Sequence, residues 1–252
     1  MLRPLRFNIQ NQPFYMLPVE GGLFQMGMEK NDPDAFGLEQ PVHLVQVSTF
    51  YLAQYPVTQA LWAALMGREE KERTPHFSGD SRPMEQVSWN DAKLFLDKLR
   101  AATEMNFRLP SESEREYAAR GGIFNAGMKY AGSQRLKEIG WCEANSHGET
   151  KLVGRKSPNE LGLYEMSGNV WEWCEDDWHY DYQKAPKDGS AWIDTGRGLG
   201  RVLRGGSWFD RPQNCRSAYR MIGPPARRYH SCGLRLALSL AGEVAEGGTE
   251  EM

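Results

Sequence analysis

Residues 162–173 read GLYEMSGNVWEW. The glycines permit close backbone approach, and the two tryptophans that follow are large anchors for an apolar interior. The segment therefore reads as a tight turn in which Trp171 and Trp173 pin a core while Glu172 accepts hydrogen bonds from backbone amides. The whole chain has a matching composition. With 26 glycines, 8 tryptophans, 10 tyrosines and 10 phenylalanines in 252 residues, it describes turns and long loops held by rings, not a helical bundle.

Helices are expected upstream of this turn. Thr58 is an N-cap before Leu61, Trp62, Leu65 and Met66, which recur at helical spacing until Gly67 stops them. Ser88 caps WNDAKLFLDKLRAAT in the same way. A shorter helix starts at Ser111 in PSESEREYAARGG, where Ser111 and Glu114 have capping-box spacing and Gly121-Gly122 end it. Residues 19–53 read as antiparallel strands around a polar loop, and after Gly122 the chain is irregular, with strand-like pieces such as RVLRGG. These elements predict an α+β domain over 19–238, preceded by a lead segment 1–18 and followed by an acidic, disordered tail 239–252.

Several function classes are disfavoured at this level. A net charge of -3 supplies no field for nucleic acid. No window approaches eighteen consecutive apolar residues, so no membrane span is expected. Cys142, Cys174, Cys215 and Cys232 are too few and too scattered for a disulfide framework. With no signal peptide in view the expectation is a cytoplasmic protein with reduced thiols, although a longer, exported or surface-displayed chain would read the same.

Six phrases in order resemble the formylglycine-generating-enzyme (sulfatase-modifying-factor) family: GGLFQMG (21–27), YPVTQALW (55–62), PMEQVSWNDA (83–92), RLPSESEREYAARGG (108–122), GLYEMSGNVWEW (162–173) and RVLRGGSW (201–208). GLRL (233–236) closes the series. The resemblance implies a C-type-lectin-like α+β fold with a small antiparallel sheet, two or three peripheral helices and many ordered loops. It implies less about activity, because one fold hosts many functions.

The family's oxidases hold Cu(I) between two cysteines five residues apart. Carried over by position, the second is Cys215 but the first is Asp210, and the histidine that usually follows is Arg211. A hard carboxylate does not replace a soft thiolate on Cu(I). A metal-dependent oxidase or another enzyme of the family stays as the alternative function, with Cys215 its thiolate. Otherwise Cys215 is a small buried hydrophobe, placed near Cys174. The resemblance also implies a structural calcium ion on the 162–173 turn, held by the Glu165 side chain, the Gly168 and Val170 carbonyls and the Glu172 carboxylate. That set is all oxygen, as calcium prefers, with Glu165 a departure from the usual Asn or Asp. No other cofactor is required.

Between the framework phrases of 201–236 lie Phe209, Asp210 and Arg211, then Met221, Ile222 and Gly223, then Tyr229, His230 and Ser231. This layout resembles diversity-generating-retroelement variable proteins, which randomise adenines in asparagine codons. All nine residues except Met221 are reachable that way. Aromatic and arginine side chains on loops over a rigid scaffold are interface anchors, so the implied partner is a protein or peptide ligand. In the blander reading, Phe209 and Tyr229 only cover the edge of the core.

Overall fold

The computed structural model describes residues 2–67, 74–194, 196 and 198–240. Its first sheet has five antiparallel strands. A hairpin of β1 (Leu5–Ile9) and β2 (Gln12–Val19) joins residues Phe50–Ala53, Phe107–Arg108 and Ala237–Ser239 in the order first, second, fifth, eleventh and sixth strand of the chain. The reading of 1–18 as a lead segment outside the domain is therefore corrected. Pro13 and Pro18 weaken the strand signal of that stretch, yet it supplies β1 and nearly all of β2. Ser239, assigned above to the tail, ends the eleventh strand. Tail residues 241–252 lie outside the described residues.

This sheet is covered on both faces. Strand β5 (Phe50–Ala53) is buried at every position, with Tyr51 and Ala53 in one apolar cluster and Phe50 and Leu52 in another. The first cluster is roofed by α1 (Gln59–Met66) and α2 (Trp89–Thr103), whose Trp62 and Phe95 rings stack at 5.0 Å. Both helices begin where the caps foretold. Thr58 Oγ1 accepts from Leu61 N, and Ser88 and Asp91 form a capping box.

Helix α3 (Glu112–Ala119) also starts at its expected capping box, Ser111 with Glu114, but all eight of its residues are buried. It lies between a two-stranded sheet of β3 (Gly22–Met26) and β4 (His43–Val47) and a four-stranded sheet. The latter runs in the order β10 (Cys232–Gly233), β7 (Trp171–Asp177), β8 (Arg201–Arg204) and β9 (Arg220–Gly223). One of its faces carries Trp171, Trp173, Leu203 and Met221 toward the apolar core. The other carries Glu172, Arg204 and Arg220 toward α3.

There, side chains of opposite charge interlock. Arg115 Nε meets Glu172 Oε2 at 2.7 Å, Arg220 Nη2 meets Glu112 Oε2 at 2.6 Å, and Arg204 pairs with Glu116. Arg235 clamps Glu172 from the other side at 2.8 Å. Burial opposes the charge on Glu116 and Glu172, but the surrounding guanidinium groups outweigh it and hold both below the usual carboxylate range. Removing one partner strands a buried charge. Arg204→Leu is thus expected to cost roughly 3–5 kcal/mol in urea unfolding. Lys93→Ala, which breaks the half-exposed Lys93–Glu175 pair, should cost under about 1 kcal/mol.

Candidate functional site

The 162–173 turn builds the site. Asn169 O accepts from Trp208 N at 2.9 Å, and Trp171 Nε1 donates to Asp210 Oδ2 at 2.8 Å. Ser207 Oγ donates to the same carboxylate oxygen. These bonds fix the loop that follows β8. Gly206 makes the turn at φ 75°, where an added Cβ would lie 2.5 Å from Cys215 Sγ, so only glycine seats the loop on that thiol.

Five rings from three separate loops then touch in series. Trp208 lies 5.3 Å from Phe209 and 5.2 Å from His230, while Phe77 approaches Trp208 at 5.1 Å and His76 approaches His230 at 5.6 Å. Trp208 Nε1 donates to His230 O at 3.0 Å, which ties two of the loops together. Phe209 stands out of the cluster, 64% exposed. His76 and Phe77 follow the charged run REEKER, and nothing in their local sequence marks them as site residues.

Of the expected contact residues, the fold brings Phe209, Asp210, Arg211, Tyr229, His230 and Ser231 into one region. Arg211 is exposed at the start of a 3-10 turn, and Ser231 O accepts from Trp171 N at 2.7 Å. Asp210 is half-buried and bound on both oxygens, since Asn214 Nδ2 reaches Oδ1 at 3.4 Å. It anchors the loop more than it faces outward. Met221, Ile222 and Gly223 sit apart on β9, at the opposite edge of the four-stranded sheet from β10, a separation of roughly 14 Å. Ile222 is exposed, whereas Met221 packs on the core. Gly223 as a contact residue is a correction. It is buried, and a Cβ there would lie 2.4 Å from Trp173 Cη2.

The cysteines are equally placed by packing. Cys215 is fully buried in a cluster with Cys142, not beside Cys174, which belongs to a different cluster with Trp178 and Val202. Burial, then the Asp210 carboxylate, pushes the Cys215 thiol well above its ordinary range. That environment disfavours a thiolate.

The donor set expected for calcium meets two arginines. Glu172 Oε1 accepts from Arg235 Nε and Nη2 at 3.0 and 2.8 Å, and Oε2 accepts from Arg115 Nε and Arg235 Nε at 2.7 and 3.0 Å. Three N–H groups thus occupy this carboxylate, the Arg235 Nε one shared between both oxygens. Glu165 Oε1 accepts from Gly154 N at 2.8 Å, and burial raises its carboxyl to about 7. Both guanidinium groups bond Glu172, whereas Glu165 Oε2 is buried with no hydrogen-bond partner. Among the described residues no group of three or more His, Cys, Asp or Glu side chains could hold a metal ion.

The family description "Sulfatase-modifying factor enzyme 1-like domain" matches residues 6–240. The chain belongs to this family. The formylglycine-generating enzyme of Thermomonospora curvata is 31% identical over 88% of this chain and 92% of its own length. A serine/threonine-protein kinase of Chlamydia trachomatis is 31% identical over 92% of this chain, which spans 40% of the kinase. Treponema denticola variable protein 1 superposes with a TM-score of 0.82 at 28% identity, over 95% of this chain and 100% of that one. The sulfatase-modifying-factor fold expected from the six phrases is the fold observed. No helix among the described residues is long and apolar enough to cross a membrane.

Two outcomes follow for this family member. Gly223→Val should destabilise by about 1–3 kcal/mol or more through overpacking against Trp173, while Ile222→Ser changes stability little, as read by urea unfolding. Glu85, whose Oε1 accepts from Phe77 N at 2.9 Å beneath the ring cluster, is raised by burial from 4.5 to about 7. The folded state therefore holds that proton more tightly than the unfolded chain does. The resulting stability is full below about pH 4.5 and is lost as pH rises through about 7. The Tm of Glu85→Gln should accordingly fall less between pH 5 and pH 8 than that of the parent chain.

Proposed function

We propose that this chain is a binding module that displays ligand contacts from the loops around Phe209–Arg211 and Tyr229–Ser231. The observation that carries the reading is the unbroken series of rings His76, His230, Trp208, Phe209 and Phe77, drawn from three loops over a hydrogen-bonded base. Rigid aromatic side chains on a fixed scaffold bind with little loss of conformational entropy, and a protein or peptide surface is the ligand class they suit. The likeness to Treponema denticola variable protein 1 supports the same reading. Relatives named formylglycine-generating enzyme support the oxidase alternative, but here the first thiolate position is Asp210, already bonded to Trp171 and Ser207, and Cys215 is buried.

In this proposal the 162–173 turn is held by Arg115 and Arg235 where the family resemblance implied calcium. Its Tm is therefore expected to be the same in excess calcium and in excess chelator. A calcium-dependent rise would restore Glu165, Gly168, Val170 and Glu172 as a metal site.

Variation of the display surface is tested by sequencing the gene and its flanking DNA from many independent isolates. Differences should concentrate at Phe209, Arg211, Ile222, Tyr229 and His230 and spare the packed Gly223, with an adenine-enriched copy of the segment and a reverse transcriptase nearby. Identical segments with no such copy would leave a fixed surface and sink the retroelement reading.

A further inference from the structure

A second surface lies on the far side of α3 from the four-stranded sheet. Strand β3 pairs only with β4, and among the described residues no hydrogen bond reaches its other edge between Gly22 and Met26. The strand borders a groove of about 520 Å³ lined also by Leu44 of β4 and by Arg120, Gly122, Ile123 and Asn125, with Ile123 closing in at the Gly22 end. The rims are apolar and open, with Leu23 62%, Leu44 54% and Ile123 48% exposed. An unpaired edge with exposed apolar side chains, and neither proline nor lysine to guard it, is a template for one more strand.

Charge selects the occupant. Glu29 and Asp32 line the groove, and neither forms an ion pair among the described residues. Its one lining cation, Arg120, is engaged by Glu116 at 2.8 Å and by Gly27 O at 2.8 Å. Residues 241–252 of this chain carry Glu243, Glu246, Glu250 and Glu251 with no cation, so like charges oppose their docking here. A second copy would set Glu29 and Asp32 against the same residues. We propose that the free edge of β3 takes up an extended, alternating apolar segment of a partner protein flanked by basic residues, as an added strand.

The test uses the full chain and a fluorescent peptide, Lys-Val-Thr-Val-Thr-Lys, read by anisotropy. Its comparators are the same peptide with glutamates in place of the lysines and one N-methylated at alternate amides. The lysine form should bind about tenfold more tightly than the glutamate form, since two favourable charge contacts become unfavourable. N-methylation should abolish binding, because it removes the donors that pair with the edge. Glu29→Lys and Ile123→Glu, both at exposed positions, should weaken binding, whereas Phe209→Ala should leave it unchanged. Equal binding of the lysine and glutamate forms, retention by the N-methylated form, or no binding overturns the proposal. So does dimerisation of the chain that Leu23→Glu abolishes without any peptide uptake.

Discussion

The layer of paired charges between α3 and the four-stranded sheet is the constraint around which this molecule is organised. Glu112, Arg115 and Glu116 leave one short helix and meet Arg220, Glu172 and Arg204, one on each of three adjacent strands. Such a layer is costly to desolvate unless every group has a partner. Once formed, it tolerates almost no sliding, because a shift of either element strands several charges at once. Apolar packing on the opposite face of the sheet, through Trp171, Trp173, Leu203 and Met221, supplies the favourable burial, and the ion pairs set the register.

The candidate site inherits its rigidity from that layer. Glu172 stands between Trp171 and Trp173, so the side chain locked by Arg115 and Arg235 also fixes the two indoles on the other face. Trp171 then holds Asp210, and the turn's Asn169 holds Trp208. Phe209 is exposed on a loop whose neighbours are all committed. In a relative with thiolates at this place the same framework would present a reactive pair. Here it presents the rings of Trp208 and Phe209.

The helix starts were legible in the sequence because capping is local: Thr58, Ser88 and Ser111 each satisfy backbone donors within three residues of themselves. The burial of α3 was not. ESEREYAA has the composition of a solvated helix, and its charges become tolerable inside only because partners arrive from residues 172, 204 and 220. The second strand was obscured by its own Pro13 and Pro18, which lower strand propensity without preventing the hairpin with β1. His76 joins His230 across more than 150 residues, and no spacing rule reports such a contact.

What the sequence determined by itself is whatever rests on short-range physics or on ordered phrases: the caps, the tight 162–173 turn and the family fold. The tertiary structure decided which of the nine expected contact residues share a surface. Chain neighbours on a strand alternate between faces and strands may sit at opposite sheet edges, so Gly223 went inward against Trp173 while Phe209 and His230 met. It also decided the fate of Glu172. A carboxylate in a turn is open to a cation or to arginines, and Arg115 and Arg235 reach this one only through the folded interior.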